Sequence, residues 1–404
     1  MKAAPKQITK ILGIFISVAL LALLFQWRAS QNLSTQNYYR SNFFVFWLSG
    51  KLLLERQNPY NPNDWTEGHT LYGNVTPREP TFLYPLPLAV FLTPLGVSSV
   101  AQAYFLWQWI SQLAVALVVY FLLKRWDTTA HQRLFVPVML FITFFGPNYL
   151  TLQIGALGAI TLLMIFSALH FLDKDRLFPA GILLALTMLK PSQGATILLL
   201  LGFVFLLRKQ WNAIWGILTG GLLLLLIGLI VDANWLSVFL HSSEAAFDRR
   251  LGVQSNIWSF SYVACKGISP CYSILGAIGM LVILGVCAFH LWRNHQNMTN
   301  WQILNLILPV AFLSTLYLWA YDQILYILPI IWIVGTMTAK SKGYFHAILF
   351  LVILDFVSFF ALMQQAVTEK DLWSLSTTVL VLAFLVIAGR MKQKPAIDKA
   401  PASA

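Results

Sequence analysis

The sequence predicts an all-α polytopic membrane protein of about twelve transmembrane helices with additional outer interfacial helices. Three observations predict it. Of 404 residues, 58% are hydrophobic and 10% are charged, where a soluble domain carries roughly 25% charged residues. Apolar segments recur from one end of the chain to the other, which argues for a single integral unit over residues 1–389. The net charge of +12 comes from short basic runs between those segments. That is the signature of positive-inside insertion, and it excludes the one-faced basic surface of a nucleic-acid binder.

Taken in order, the apolar spans fall at 11–27, 99–123, 134–150, 154–172, 177–190, 194–207 and 212–231, then at 272–292, 302–318, 323–339, 345–363 and 372–389. The first follows Lys2, Lys6 and Lys10 and lacks a small-x-small cleavage site, so it reads as a retained helix. Spans 177–190 and 194–207 are short for a crossing, and proline or glycine near their ends suits broken helices. The stretch 81–97 carries Pro85, Pro87 and Pro94 and reads as a re-entrant piece within an outer loop, 28–98. A second outer loop covers 232–271. Residues 390–404 are basic and rich in small residues, the composition of a disordered cytoplasmic tail.

Charge fixes the orientation. With both termini inside, the inner segments hold Lys124, Arg125, Arg133, Lys174, Arg176, Arg208, Lys209, Arg293, Lys340 and Lys342, while the short outer loops hold only Lys190 and Lys370. Cys265 and Cys271 bracket KGISP in an outer loop, where a small disulfide is open; Cys287 lies in an apolar span and reads as packing.

Polar residues that membrane burial should exclude then become informative. Asn42, Gln153, Lys190, Arg249, Arg250, Gln254, Asp322 and Gln323 all fall at the outer side, from six stretches of chain. One outer pocket is the economical reading; solvated loop residues are the plain alternative. In NFFVFWLSGKLLLER (42–56), Asn42, Ser49 and Arg56 recur every seven residues and form one polar stripe. The segment reads as an interfacial helix at the outer boundary.

Lys190 ends an apolar helix in MLKPSQ, where a lysine either snorkels to headgroups or offers a point charge to a phosphate. Arg249 and Arg250 supply donors for a phosphate ester. Asp322 in WAYDQ sits tightly at the membrane edge, a functional position unless it pairs with an outer arginine. Asp355, mid-helix, reads as a structural hydrogen bond inside the bundle. No metal-binding spacing or nucleotide loop occurs, so neither metal nor cofactor is expected.

The stretch 42–60, NFFVFWLSGKLLLERQNPY, with FLYPLPLAVFLTPL (82–95), QIGALGAI (153–160), MLKPSQGA (188–195) and WAYDQILYILP (319–329), resembles glycosyltransferase family 87. The resemblance implies a GT-C-like membrane enzyme moving a hexose, mannose foremost, from a polyprenyl-phosphate sugar to a lipid or glycan acceptor at the outer face of an inner membrane. It implies membrane lipids as surroundings and no nucleic-acid partner. It also puts the catalytic base, an aspartate in the family, at Asn42. An amide has no lone pair basic enough for that task. The chain is therefore an inactive relative or variant, or Asp322 or Asp64 serves as base, or the reaction differs. On this reading Lys190, Arg249 and Arg250 meet the phosphate, with Gln153, Gln254 and Gln323 around them, and Tyr84 lines the sugar and prenyl paths. A lipid-linked-sugar flippase or secondary transporter is the alternative, and it would want midplane charges and matched halves.

Overall fold

The computed structural model describes residues 27, 31, 39, 41–125, 128–338 and 343–390. Most of the expected first helix at 11–27, Lys340, Lys342 and the tail beyond Arg390 lie outside the described residues. Those that are described form helices and connecting turns, with no strand. The expected all-α membrane architecture holds.

Helix α1 (Asn42–Leu54) opens the described chain, followed by α2 (Pro62–Gly73) and the short α3 (Leu86–Leu92), which runs into a 3-10 turn over Thr93–Val97. Then come α4 (Val100–Lys124), α5 (Thr128–Phe144), α6 (Gly146–Gln153), α7 (Gly158–Asp173), α8 (Leu177–Leu186) and α9 (Pro191–Leu207). The second half holds α10 (Trp211–Val231), α11 (Trp235–Arg250), α12 (Ile257–Ala264), α13 (Ser269–Asn294), α14 (Asn300–Ser314), α15 (Ile327–Thr338), α16 (Gly343–Thr368) and α17 (Leu375–Arg390).

Six helical segments are long and apolar enough to cross a membrane, or seven if α5 and α6 count as one span bent by 59°. Pro147, in the first turn of α6, accounts for that bend because it has no N–H to continue the ladder. Helices α7, α8, α9 and α14 are apolar but shorter. The number of crossings is thus not fixed at twelve by length alone.

Burial sorts the segments. Ala320–Thr338 is 94% buried and forms the bundle axis, whereas α13 is 17% buried and keeps most of its apolar surface outward. Water would not tolerate that surface; lipid does. The stretch 86–97 is a helix and a 3-10 turn too short to cross, as its prolines indicate.

Helix α1 packs its apolar side chains against protein: Phe43, Phe44, Phe46, Trp47, Leu48, Ser49, Gly50 and Leu52 are all buried. A helix apolar all round requires protein on every side, and α2, α3, the 3-10 turn and α4 provide it. Gly50 makes the contact possible, since a Cβ there would lie 2.6 Å from the Leu92 carbonyl oxygen. The polar stripe is broken, because Ser49 turns back onto Phe46 O at 2.8 Å and Arg56 lies past the helix end with φ 59°.

The N-terminus of α1 is seated on the α6–α7 turn. Phe43 N donates to Ile154 O at 3.0 Å, and Gly155 sits against Phe43 with φ +63°, a backbone state that glycine adopts freely. Two cores result, one around α1 and one filling the bundle. At the opposite end of the bundle, Arg125 pairs with Asp173, Trp301 donates to Asp173 at 2.9 Å, and Arg208 caps the carbonyls of His295 and Met298.

Asp355 also departs from expectation. Its Oδ1 is buried on α16 and accepts no hydrogen bond, since Ser358, one turn on, donates to the Asp355 backbone carbonyl instead, at 3.1 Å.

Candidate active site

The polar centre lies where the two cores meet. Lys190 follows Leu189 of the α1 core, and Asp322 stands just before Ile324 of the bundle core. Pro191 starts α9 and leaves Lys190 as its cap residue in an extended conformation, which turns the side chain inward. Trp319 opens a 3-10 turn over Ala320–Tyr326 that carries Asp322. Lys190 is 3% exposed and Asp322 is 0% exposed, so neither charge meets water.

They meet each other. Lys190 Nζ donates to Asp322 Oδ1, which also accepts from Gln193 Nε2 at 2.8 Å, while Oδ2 accepts from Trp319 N at 3.1 Å. Both oxygens of Asp322 thus accept hydrogen bonds, which offsets the cost of burying a carboxylate. The ammonium of Lys190 also lies 4.6 Å from the centre of the Tyr321 ring.

Asn42 faces the Tyr321 phenol across this centre. Its Nδ2 nevertheless makes no hydrogen bond of acceptable geometry. Asn42 therefore stands at the N-terminus of α1 with a donor to spare.

Above the pair, Tyr84 comes in from the loop before α3, its ring edge-on to Phe46 at 5.0 Å. Burial pushes the Tyr84 phenol up, Tyr317 and Asp322 add to this, and Arg250 opposes it. Arg250, at the end of α11, donates to Tyr317 OH at 2.6 Å and to Glu79, and stacks 5.5 Å and 5.6 Å from the Tyr317 and Trp319 rings. Burial alone would lower its pKa, but Tyr317 and Glu79 outweigh it and hold the guanidinium charged.

The structure thus brings together Asn42, Tyr84, Lys190, Arg250 and Asp322. The others go elsewhere. Arg249 is half-exposed and pairs with the outer side of Glu79. Gln153 is exposed beside Phe43, its carbonyl accepting from Tyr104 OH at 2.9 Å. Gln254 is buried in a clamp, accepting from Leu318 N at 2.7 Å and Asn256 Nδ2 at 3.1 Å. Gln323 points away from the centre and donates to Ser374 O at 2.9 Å. Asp64 accepts from Asn58 N at 2.9 Å and organises the turn into α2. The salt bridge of Asp322 is to Lys190, not to an outer arginine.

Four contributors were not anticipated: Gln193, Tyr317, Tyr321 and Glu79. Gln193 lies three residues past Lys190 at a helix start, and the tyrosines sit in the aromatic run YLWAY, so their sequence signal was local and available. Glu79, a loop acid among prolines, carried none. Among the described residues no group of three or more His, Cys, Asp or Glu comes together to hold a metal ion.

The sequence model of glycosyltransferase family 87 matches residues 82–316, more than half of the chain. The chain belongs to glycosyltransferase family 87. No curated protein and no solved structure matches it. The family match spans Tyr84, Lys190, Gln193 and Arg250, while Asn42, Tyr321 and Asp322 stand outside it. As a family 87 member the chain is a membrane glycosyltransferase, and the buried polar centre at one end of its bundle is the candidate site for that chemistry.

Proposed function

We propose that this glycosyltransferase moves a hexose, mannose foremost, from a polyprenyl-phosphate donor to a lipid or glycan acceptor at the extracytoplasmic face of an inner membrane. The observation that carries the proposal is the Lys190–Asp322 centre with Arg250 and Tyr84 near it, at one end of an apolar bundle. Two observations support the sidedness. Arg125, Lys174, Arg176, Arg208 and Arg293 lie at helix ends remote from this centre, the cytoplasmic pattern. Cys265 and Cys271 are bridged in the loop at the site's end of α13, which suits an oxidising compartment.

In the proposed reaction an acceptor hydroxyl oxygen bonds to the sugar's anomeric carbon as the bond from that carbon to the phosphate oxygen breaks. The electron pair leaves with the prenyl phosphate, which gains a negative charge. Arg250, desolvated and fixed by Tyr317, meets that charge, with Lys190 reinforcing the local field. The acceptor hydroxyl's proton passes to water, because the base that the resemblance puts at position 42 is missing here. Asn42 has the shape of the family aspartate but accepts no proton at neutral pH. Asp322 is committed to Lys190, Gln193 and Trp319 N. Asp64 serves a turn outside the centre. The wild-type chain is therefore a slow transferase. No metal or other cofactor enters the proposal, since guanidinium and ammonium groups answer the phosphate charge.

Membranes containing the wild-type chain or N42D, given labelled polyprenyl-phosphate hexoses, test this. Label should move to an acceptor, slowly with the wild type and faster with N42D. Label remaining on every donor with both chains would overturn the proposal.

A further inference from the structure

Glu79 pairs with Arg250, the proposed phosphate ligand, and the reaction as described does not use it. Both oxygens of its carboxylate are taken, one by Arg249 and one by Arg250. An acid in this position admits two opposite roles. It competes with an incoming phosphate for the arginines, or it aims them.

The backbone around Glu79 decides between them. Its carbonyl accepts from Trp65 Nε1 at 3.1 Å, and Trp65 is a buried residue of the α1 core. Two residues on, Thr81 Oγ1 meets Ser242 Oγ of α11 at 3.1 Å. Phe82 N donates to Pro59 O at 3.1 Å, and Tyr60 OH donates to Tyr84 O at 2.6 Å. The segment from Glu79 to Tyr84 is thus pinned at four points to α2, to α11 and to the Pro59–Tyr60 turn. A side chain held on such a segment does not swing clear for a ligand.

Arg250 gains from being held. A guanidinium has five N–H donors in a rigid plane. One goes to Tyr317 OH and one to Glu79, with the face laid on Tyr317 and Trp319. The remaining donors have no partner among the described residues.

We infer that Glu79 is a positioning residue of the phosphate subsite, holding Arg250 so that its free donors face the phosphate of a prenyl-phosphate ligand. This rests on the donor class proposed above and adds the residue that orients its anchor. The sign of the effect is diagnostic. By Coulomb's law alone, removing a carboxylate beside two arginines strengthens binding of an anion. Positioning requires the reverse.

The test is binding of a short-chain polyprenyl phosphate to the full-length chain in detergent, with thermal unfolding measured on each variant. E79Q should weaken binding about tenfold, the lower end of what loss of an outer-layer partner costs at metal sites. E79A should weaken it further. R249A, which removes only the outer arm, should change it little. In transfer assays KM for the donor should rise in E79Q while kcat changes less. Tighter or unchanged binding in a folded E79Q would overturn the inference. If R250A binds the prenyl phosphate as well as wild type does, the donor reading itself fails; loss in R250A without loss in E79Q removes only the role of Glu79.

Discussion

Lys190 and Asp322 close on each other from chain positions 132 residues apart, and between them they supply a buried charge pair to the junction of two apolar cores. A pair so deep stabilises little in itself, because desolvation offsets the attraction, but each partner is indispensable to the other. K190M and D322L should each destabilise the protein by about 3–5 kcal/mol, as expected for an unpaired buried charge. The double variant should unfold at a higher temperature than either single one. Thermal unfolding in detergent measures all three, and simple additivity would show that the pair is not coupled.

The proposed outer position of α2 leads to a second expectation. Glu67 is exposed on that helix. A cysteine introduced there, with Cys287 replaced by serine, should react with a membrane-impermeant maleimide in intact cells. Labelling only after permeabilisation would invert the proposed orientation.

His69 carries a pH signature. It is buried between Trp65 and Phe44, with ring centroids at 4.5 Å and 5.4 Å, and its Nδ1 lies 2.8 Å from Trp65 O. Burial lowers its pKa below the ordinary 6.5, with the Trp65 carbonyl only partly opposing. The unfolded chain therefore binds a proton that the folded chain resists, so stability is full above pH 6.5 and falls as the pH drops below it. The unfolding temperature of the wild type should decline there, and H69Q should flatten that decline. An identical pH slope in both chains would assign the effect elsewhere.

How much of this was legible in the sequence depends on where each residue finds its partner. MLKPSQ and WAYDQ announced Lys190 and Asp322 because a charge wedged between apolar spans has few uses. That they serve each other is a long-range fact no local spacing contains. The same holds for Glu79, whose partner Arg250 is 171 residues away. Helix α1 misled for a related reason. Its seven-residue spacing suggested one polar stripe, whereas the covering surface comes from Leu86–Val97 and the Gly155 turn, elements visible only after folding. Gln254 and Gln323 were drawn into the site by their position at helix ends, yet both satisfy backbone groups. Asp355 shows the opposite failure, an expected side-chain hydrogen bond that is absent because Ser358, the hydroxyl one turn on, bonds to the backbone.

The base remains the sharpest question, and the geometry around Asn42 makes it answerable. N42D introduces a carboxylate in the first turn of α1, which has no acid there now, so the helix N-terminus would favour its ionised form. The new carboxylate would face the Tyr321 phenol, with the Lys190 ammonium 4.6 Å from that ring. If Asn42 occupies the place of the missing base, N42D should accelerate transfer by about 10²–10⁴-fold, the range of general-base assistance. D322N should then slow transfer only by loosening Lys190, and N42D/D322N should remain faster than wild type. If Asp322 is instead the base, the wild-type chain should already be fast, D322N should abolish transfer, and N42D should bring no gain. Rates over a pH series separate the two, because a new base at position 42 adds an acidic limb that the wild-type profile lacks. Should neither substitution alter transfer in folded protein that binds the prenyl phosphate, proton removal does not pass through this centre, and the mechanism proposed for it is wrong.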